Sequence, residues 1–295
     1  MSIFTNNFPY IVAEIASAHE GNPKLAIELM NFAIAGNANA IKVQIFKTEK
    51  LLSIKNPLYN EFKEIELSHS DWERVLLKFS NKKISLIAEV FDQESLLFAK
   101  DIKIFDAYKI PASCLNDDSI FKIFKDMKKP VILGIGGAEF NEIKEAYNEL
   151  NSYIEDLVLM CGFQNFPTKI EDSKLNQINL LKKYFNCEFG YADHTNAENQ
   201  MLSVMVSVFA YGLGANVIEK HITKNRKLKG RDYYSALNPD EFKAYVKILK
   251  TCNSAYGNSK NWIISEAEKK YNQFTKKYAV ANRNLKTGEK LTKKN

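Results

Sequence analysis

The chain has 295 residues, of which 45% are hydrophobic, and it carries a formal net charge of +6. This length suits one barrel domain of roughly 250 residues with an appendage, and the apolar content argues against global disorder. The charge favours anionic substrates, but no nucleic-acid recognition motif accompanies it. No apolar run reaches the roughly 18–20 residues of a membrane span, and the N-terminus lacks a signal-peptide pattern, so we expect a cytoplasmic protein.

Short β-branched segments alternate with segments of helical periodicity, in eight pairs. The predicted strands are 11–16, 40–46, 84–91, 107–111, 130–136, 156–162, 188–193 and 217–222. The predicted helices are 22–37, 69–81, 92–101, 117–128, 139–152, 174–185, 198–212 and 239–256. This alternation indicates a parallel sheet, and eight units indicate an α/β protein with a (β/α)8 TIM barrel over residues 1–257. An open doubly wound sheet is the alternative, but no GxGxxG follows any strand.

Two segments stand outside this alternation. The insert 47–68 separates the second strand from its helix, and long loops at this face of a barrel often cover the substrate. After the barrel we predict a polar linker, 258–275, with some helical character. Residues 277–281 and 285–292 then have the pattern of a strand and a turn. Because a lone strand and turn cannot bury a core, we interpret 276–295 as the start of a second domain.

Polar side chains mark the C-terminal ends of the predicted strands, where a (β/α)8 barrel places its chemistry. Because side chains alternate between faces, Lys42 shares a face with Gln44, and Glu219 shares one with His221. Strands that are buried on both sides should be nearly all apolar, so these polar residues must either have polar partners or serve a function. The residues concerned are Glu14, Lys42, Gln44, Glu89, Lys109, Asp193, His194, Glu219 and His221.

Two of the four histidines, His194 and His221, end consecutive predicted strands, and an acidic residue precedes each of them. Two neutral imidazoles, together with water and substrate oxygens, suit Mn²⁺, Fe²⁺ or Zn²⁺, and such an ion would polarise a carbonyl group. The alternative is a pair of hydrogen-bonded core histidines. Spacing alone does not separate these two interpretations.

Lys42 and Lys109 lie on near-adjacent predicted strands, and buried ammonium groups suit a clamp for phosphate or carboxylate. The alternative is a structural ion pair with Glu14 or Glu89.

Three loop residues are further candidates. Gln164 and Asn165 follow the sixth strand and either bind the substrate or satisfy the loop backbone. Asp232, after the last strand, either binds substrate hydroxyl groups or is a solvated loop acid.

Several motifs resemble, in one order across residues 9–250, those of the sialic acid synthase family. The segment EIASAHEG (14–21) resembles EIGxNHEG, IKVQ (41–44) resembles VKxQ, GYADHT (190–195) resembles G(L/Y)SDHT, VIEKHIT (217–223) resembles IE(K/R)HFT, and SALNPDEF (235–242) resembles SxxPxEF. Residues 277–292 resemble the beginning of the family's C-terminal antifreeze-like (SAF) domain, so the end of the chain is interpreted as a short stub of that domain.

The resemblance implies condensation of phosphoenolpyruvate with the open-chain aldehyde of an N-acetylated hexosamine such as N-acetylmannosamine. The product would be a sialic, legionaminic or pseudaminic type of nine-carbon acid, used in surface-glycan synthesis. The resemblance also implies a homodimer. It implies a divalent metal on His194 and His221, with Mn²⁺ expected and Mg²⁺ or Co²⁺ as alternatives. By the same resemblance Lys42 and Lys109 would hold phosphoenolpyruvate, Glu14 and Asp232 would contact the sugar, and Gln44 would support the site.

The chain departs from the family pattern around the phosphate. Glu89 replaces a Thr and would bring a negative charge there, while each lost hydrogen bond to a charged group costs about 1.5–3 kcal/mol. Ser113 or backbone N–H groups would have to substitute. The other departures are Ala18 for Asn, Ala112, Gly134 and Ala192 for Ser, and Cys114 for an acid.

Two further functions stay open. Glu89 favours a barrel aldolase or lyase that acts on a keto acid, and the short C-terminal segment favours an inactive, truncated homologue that binds a sugar or a partner. For the synthase function, the catalytic residues are Glu14, Lys42, Lys109, His194 and His221, and the substrate-binding residues are Gln44, Glu89, Ser113, Gln164, Asn165, Asp193, Glu219 and Asp232.

Overall fold

Eight parallel strands close into a barrel in sequence order, in a computed structural model that describes residues 3–4, 9–165, 167–257 and 261–294. Each strand pairs with the next, and the last pairs with the first. The predicted α/β barrel is therefore confirmed, and every predicted strand boundary lies within two residues of the observed one. The strands are β1 Tyr10–Glu14, β2 Ala40–Ile45, β3 Ser85–Val90, β4 Ala107–Ile110, β5 Val131–Gly134, β6 Leu157–Cys161, β7 Glu188–Asp193 and β8 Ala215–His221.

Helices follow the strands along the chain, and side-chain caps fix where several of them begin. Asn22 caps the first helix ahead of Pro23, and Ser68 and Asp117 cap two others. Within the described ranges, every helix falls short of the length or the apolar character that a membrane span requires. The helices are α1 Pro23–Ala35, α2 Thr48–Leu51, α3 Tyr59–Ile65, α4 His69–Leu76, α5 Gln93–Asp101, α6 Asp118–Phe124, α7 Phe140–Asn151, α8 Gln177–Leu181, α9 Gln200–Gly212 and α10 Pro239–Tyr256.

The helix predicted for 174–185 is shorter than expected, since α8 covers only Gln177–Leu181. A 3-10 turn, Ile170–Ser173, precedes it, and Lys174 has a φ of 42° in the left-handed region. A residue in that conformation cannot belong to a right-handed helix, so the helix begins after it.

Side chains alternate between the inside of the barrel and the layer between barrel and helices. The outer layer is the larger apolar cluster and contains residues such as Ile41, Val43 and Trp72. The inside is apolar over most of its depth, and Phe4 packs edge-on against Tyr10 there. This filling leaves the inner positions nearest the C-terminal ends of the strands to polar residues. The inner apolar residues are Phe4, Tyr10, Val12, Ala40, Ile87, Ala107, Ile132, Val158, Met160, Ala192 and Val217.

The insert after β2 folds into two short helices, α2 and α3, which the sequence pattern does not predict. Glu66 accepts a hydrogen bond from the backbone N–H of Thr48 at 3.0 Å and pairs with Lys63. Glu61 of α3 forms an ion pair with Arg231 in the loop after β8. Because Phe62 also lines the cavity at the C-terminal ends of the strands, the insert lies at the mouth of the barrel.

The chain divides into two compact units, Met1–Tyr256 and Gly257–Asn295. The second unit contains α11, Glu266–Thr275, which begins with a capping box formed by Ser265 and Glu268. The helical character expected in 258–275 is therefore present in its second half. The strand predicted for 277–281 is wrong, because these residues join no β-ladder and no strand among residues 261–294 offers them a partner.

Candidate active site

A cavity of about 1030 Å³ opens at the C-terminal ends of the barrel strands. Strand register brings its polar residues together, since Glu14 pairs with Lys42 and His221, and Glu89 pairs with Gln44 and Lys109. All of these positions share the inward face of their strands. The predicted residues that line the cavity are Glu14, Lys42, Gln44, Glu89, Lys109, Ser113, Gln164, His194, Glu219, His221 and Asp232.

Lys42 lies at the centre of the polar cluster, and its side chain is 1% exposed. Its Nζ is 2.5 Å from Oε2 of Glu89 and 2.9 Å from Oε1 of Glu219, and it also pairs with Glu14. Burial alone would lower the pKa of Lys42, but the three carboxyl groups hold this pKa well above its ordinary value. Lys42 therefore carries its positive charge at neutral pH, although it is buried inside the barrel.

Lys109 shares two of these carboxylates. Its Nζ is 2.9 and 3.1 Å from the two carboxylate oxygens of Glu219 and 3.3 Å from Oε1 of Glu89. Glu89 thus bridges Lys42 and Lys109, and Gln44 holds it by donating a hydrogen bond of 3.1 Å. The sequence left open whether the lysines form an anion clamp or structural ion pairs, and the structure contains such ion pairs. Between them, the two lysines contact three protein carboxyl groups.

Three carboxyl groups share two ammonium groups, so one carboxyl group is left without a full counter-charge. Burial raises the pKa of Glu14 to about 8, and the attraction of Lys42 reduces this shift without cancelling it. Burial also acts on Glu219, but Lys109 and Lys42 outweigh it and lower the pKa of this residue to about 2. Glu14 is therefore the group that retains a proton near neutral pH.

His194 and His221 face each other across the cavity, with ring centroids 5.2 Å apart. Nδ1 of His194 lies 3.0 Å from the carbonyl oxygen of Phe163, and a carbonyl only accepts, so Nδ1 carries the hydrogen and Nε2 the lone pair. Burial lowers the pKa of His194 to about 4, and burial with nearby positive charge places the pKa of His221 well below its ordinary value. Both imidazoles are neutral, which metal coordination requires.

A two-histidine site would leave most coordination positions to water and substrate. Among the residues that the structure describes, no group of three or more His, Cys, Asp or Glu side chains is arranged to hold a metal ion. The neighbouring Glu219 is bonded to Lys42 and Lys109 instead. Any ion held by His194 and His221 would therefore have these two residues as its protein ligands.

Asp193 does not line the cavity, which corrects the expectation that it contacts substrate. Adjacent residues of a strand face opposite sides, so His194 points inward and Asp193 points into the helix layer. There its carboxylate accepts hydrogen bonds from the backbone N–H of Thr195 at 2.8 Å and from Oγ of Ser207 at 2.5 Å. It also pairs at 3.2 Å with Lys220, and both side chains are fully buried. This network anchors the chain on either side of His194.

The predicted loop residues divide between two cavities. Ser113, Gln164 and Asp232 reach the main cavity, and burial raises the pKa of Asp232. Asn165 lines a neighbouring, more apolar cavity of about 590 Å³ and is not among the residues that line the main one. Its carbonyl oxygen accepts a hydrogen bond from Thr168.

Other residues at the mouth carry no sequence signal that would have identified them. Ser17, Phe62, Asp118 and Glu142 line the cavity and come from loops or helices, whose course strand alternation does not give. The glycines that follow β5 are explained by the close packing of two loops. A Cβ on Gly136 would lie 2.0 Å from the carbonyl oxygen of Gly162, so only glycine permits this approach of two loops.

The fold is a closed (β/α)8 barrel, and its mouth contains a lysine–carboxylate cluster and two neutral histidines. These features are typical of a barrel enzyme that acts on polar, charged substrates. The NeuB family model matches residues 29–261, and the chain belongs to this family. The membership expected from the motifs is therefore confirmed.

Individual relatives agree with this assignment. The chain is 30% identical to the pseudaminic acid synthase of Campylobacter jejuni, over 99% of this chain and 87% of that protein. It is 27% identical to the N,N'-diacetyllegionaminic acid synthase of Legionella pneumophila, over 84% and 73%. Among solved structures it resembles the N-acetylneuraminic acid synthetase of Leptospira borgpetersenii in complex with citrate, with a TM-score of 0.83, 25% identity, and coverage of 92% of this chain and 94% of that one.

Proposed function

We propose that the protein condenses phosphoenolpyruvate with the open-chain form of an N-acetylated hexosamine of the N-acetylmannosamine type. The products are a nine-carbon 2-keto acid and phosphate, and the acid serves surface-glycan synthesis. The observation that carries the proposal is that two buried lysines and two neutral histidines converge in one cavity of a NeuB-family barrel. The names of the pseudaminic and legionaminic acid synthases among its relatives support the same reaction.

The residues of the cavity fit the steps of this reaction. Lys42 and Lys109 offer ammonium groups to the acid groups of the donor. C3 of the enolpyruvate attacks the aldehyde carbon, water adds at C2, and phosphate leaves by C–O cleavage. The aldehyde oxygen becomes an alkoxide that needs a proton. Glu14, whose pKa is raised to about 8, holds a proton near neutral pH and suits that transfer. Asp232 is placed to accept hydrogen bonds from sugar hydroxyl groups.

His194 and His221 would hold the divalent metal ion, Mn²⁺ by preference, with Mg²⁺ or Co²⁺ as alternatives. When bound, such an ion polarises the aldehyde carbonyl as a Lewis acid. The bond from His194 to the Phe163 carbonyl fixes the ring orientation, as hydrogen bonds to metal-ligating histidines generally do. We further propose a homodimer in the cytoplasm, where phosphoenolpyruvate is produced.

The test is phosphate release from phosphoenolpyruvate with Mn²⁺ and a panel of N-acetylated hexosamines. We expect release that requires the sugar and the metal, and that is lost in Lys42→Ala and His194→Ala. Lys224→Ala is the matched control, because Lys224 is half-exposed and pairs with Glu28 on the surface. Absence of phosphate with every sugar, from folded protein, would contradict the proposal.

A second function is favoured by Glu89, whose carboxylate lies between both lysines. A barrel aldolase or lyase that uses a 2-keto acid such as pyruvate would bring one negative charge into the cavity instead of roughly three. Turnover of pyruvate, without turnover of phosphoenolpyruvate, would identify this reaction. Metal binding without turnover of either donor would identify an inactive homologue.

A further inference from the structure

The cavity is lined by far more acidic than basic side chains. Among the described residues that line it, two side chains are ammonium groups, Lys42 and Lys109. The acidic residues number seven, and they are Glu14, Glu89, Asp117, Asp118, Glu142, Glu219 and Asp232. A phosphate-bearing donor therefore enters a cavity whose positive groups are already neutralised.

The lysines have little hydrogen-bonding capacity left. An ammonium group has three N–H donors, and Lys42 has three carboxyl neighbours, Glu14, Glu89 and Glu219. Lys109 contacts Glu219 through both carboxylate oxygens and Glu89 through one. An anionic ligand can bind Lys42 only by displacing one of these carboxyl groups.

Of the three carboxyl groups, Glu89 is the one best placed to be displaced by a ligand. It is 4% exposed, whereas Glu14 and Glu219 are 0% and 2% exposed. Its contact with Lys109, at 3.3 Å, is longer than the 2.9 Å contact of Glu219, whereas at Lys42 Glu89 is the closer of the two, at 2.5 Å against 2.9 Å. Glu89 is also level with Gln44, one inward position beyond Lys42 along β2, so it stands closer to the mouth of the barrel.

We propose that Glu89 determines which anionic donor the cavity accepts, because its carboxylate occupies the lysine pair and a donor binds by displacing it. This inference rests on the proposed function. The displaced carboxylate remains in the cavity and repels the donor, and this repulsion grows with the charge of the donor. Glu89 thus weakens the binding of phosphoenolpyruvate more than the binding of a monoanionic 2-keto acid.

The test compares the binding of inorganic phosphate, phosphoenolpyruvate and pyruvate to the wild-type full chain and to Glu89→Gln and Glu89→Thr, by calorimetry without sugar. We expect phosphate and phosphoenolpyruvate to bind about tenfold tighter or more in both variants, and pyruvate to gain less. Glu142→Gln is the matched control. Glu142 lines the same cavity but bonds to Asn116 and to the backbone N–H of Glu139, so we expect a change below about threefold.

Each outcome decides the inference. It is overturned if both Glu89 variants fold and bind phosphate no tighter than Glu142→Gln does. It is also overturned if neither variant folds, since Glu89 would then be a structural member of the ion-pair cluster. If the variants bind phosphoenolpyruvate more tightly but no protein releases phosphate with any hexosamine, the role of Glu89 stands and the proposed synthase reaction fails.

Discussion

Replacing Lys42 by methionine tests the charge arrangement of the cavity most directly. Methionine keeps most of the buried stem, so the main loss is the ammonium group shared by three carboxyl groups. Glu89 and Glu219 would then have one counter-charge, Lys109, and the buried cluster would take up a second proton. Protonating a glutamate whose pKa has its ordinary value of 4.5 costs about 3.4 kcal/mol at pH 7, at 1.36 kcal/mol per pH unit. This agrees with the roughly 3–5 kcal/mol that breaking a buried ion pair costs.

The same reasoning fixes the pH dependence of Lys42→Met. The extra proton is held in the native state and not in the unfolded state, so the deficit in unfolding free energy grows as the pH rises. We expect about 3–5 kcal/mol at pH 7 and about 1 kcal/mol at pH 5, from urea denaturation followed by tryptophan fluorescence, in which the buried Trp72 reports on the barrel unit. Lys224→Met, a surface control, should lose less than about 1 kcal/mol. A deficit below about 1 kcal/mol at pH 7, or one that does not shrink at pH 5, would refute the reasoning.

Three further changes probe the other groups of the site. The pKa of Glu14 is raised from 4.5 to about 8, so its contribution to stability is complete below pH 4.5 and is lost as the pH rises through 8. Glu14→Gln should therefore reduce the fall in melting temperature between pH 6 and 9. An unchanged pH profile of the melting temperature would contradict the assignment of the proton to Glu14. His194→Ala should weaken Mn²⁺ binding in calorimetry by about tenfold or more, whereas His69→Ala, which stacks on a phenylalanine outside the cavity, should not, and equal effects would exclude the pair as the metal site. Asp193→Asn should lower the free energy of unfolding, measured by urea denaturation, by about 3–5 kcal/mol, because it leaves Lys220 buried without its counter-charge. A second substitution, Lys220→Met, should restore part of that loss. If it restores nothing, the broken ion pair is not the cause.

The barrel could be predicted because its signals are local. Alternation of strand and helix patterns, and caps such as Asn22 and Ser68, depend on residues close together in the chain. The insert was not predictable in the same way, because α2 and α3 are too short to show a period and are held by contacts such as Glu61 with Arg231, 170 positions apart. The strand expected at 277–281 fails for a related reason, since a strand exists only where another pairs with it.

The site was predictable where strand alternation was applied. It places Lys42 with Gln44 and Glu219 with His221, and the structure has all four in the cavity. The same rule, applied to β7, would have excluded Asp193, which is adjacent to an inward-facing residue and must point outward. Alternation could not show that Glu89 bonds both lysines, because that depends on the closure of the barrel and on side-chain reach across it.

Charge balance links the lysine cluster to the histidine pair. With a proton on Glu14, the ammonium groups of Lys42 and Lys109 balance the two carboxylates Glu89 and Glu219, so the cluster has no net charge to offer an incoming anion. Phosphoenolpyruvate would bring roughly three negative charges and pyruvate one. A divalent ion held by His194 and His221 would offset two of those three and leave the same net charge as pyruvate alone. Binding of phosphoenolpyruvate should therefore depend on the metal and on the departure of Glu89 from the lysines more strongly than binding of pyruvate does, because pyruvate brings only one negative charge.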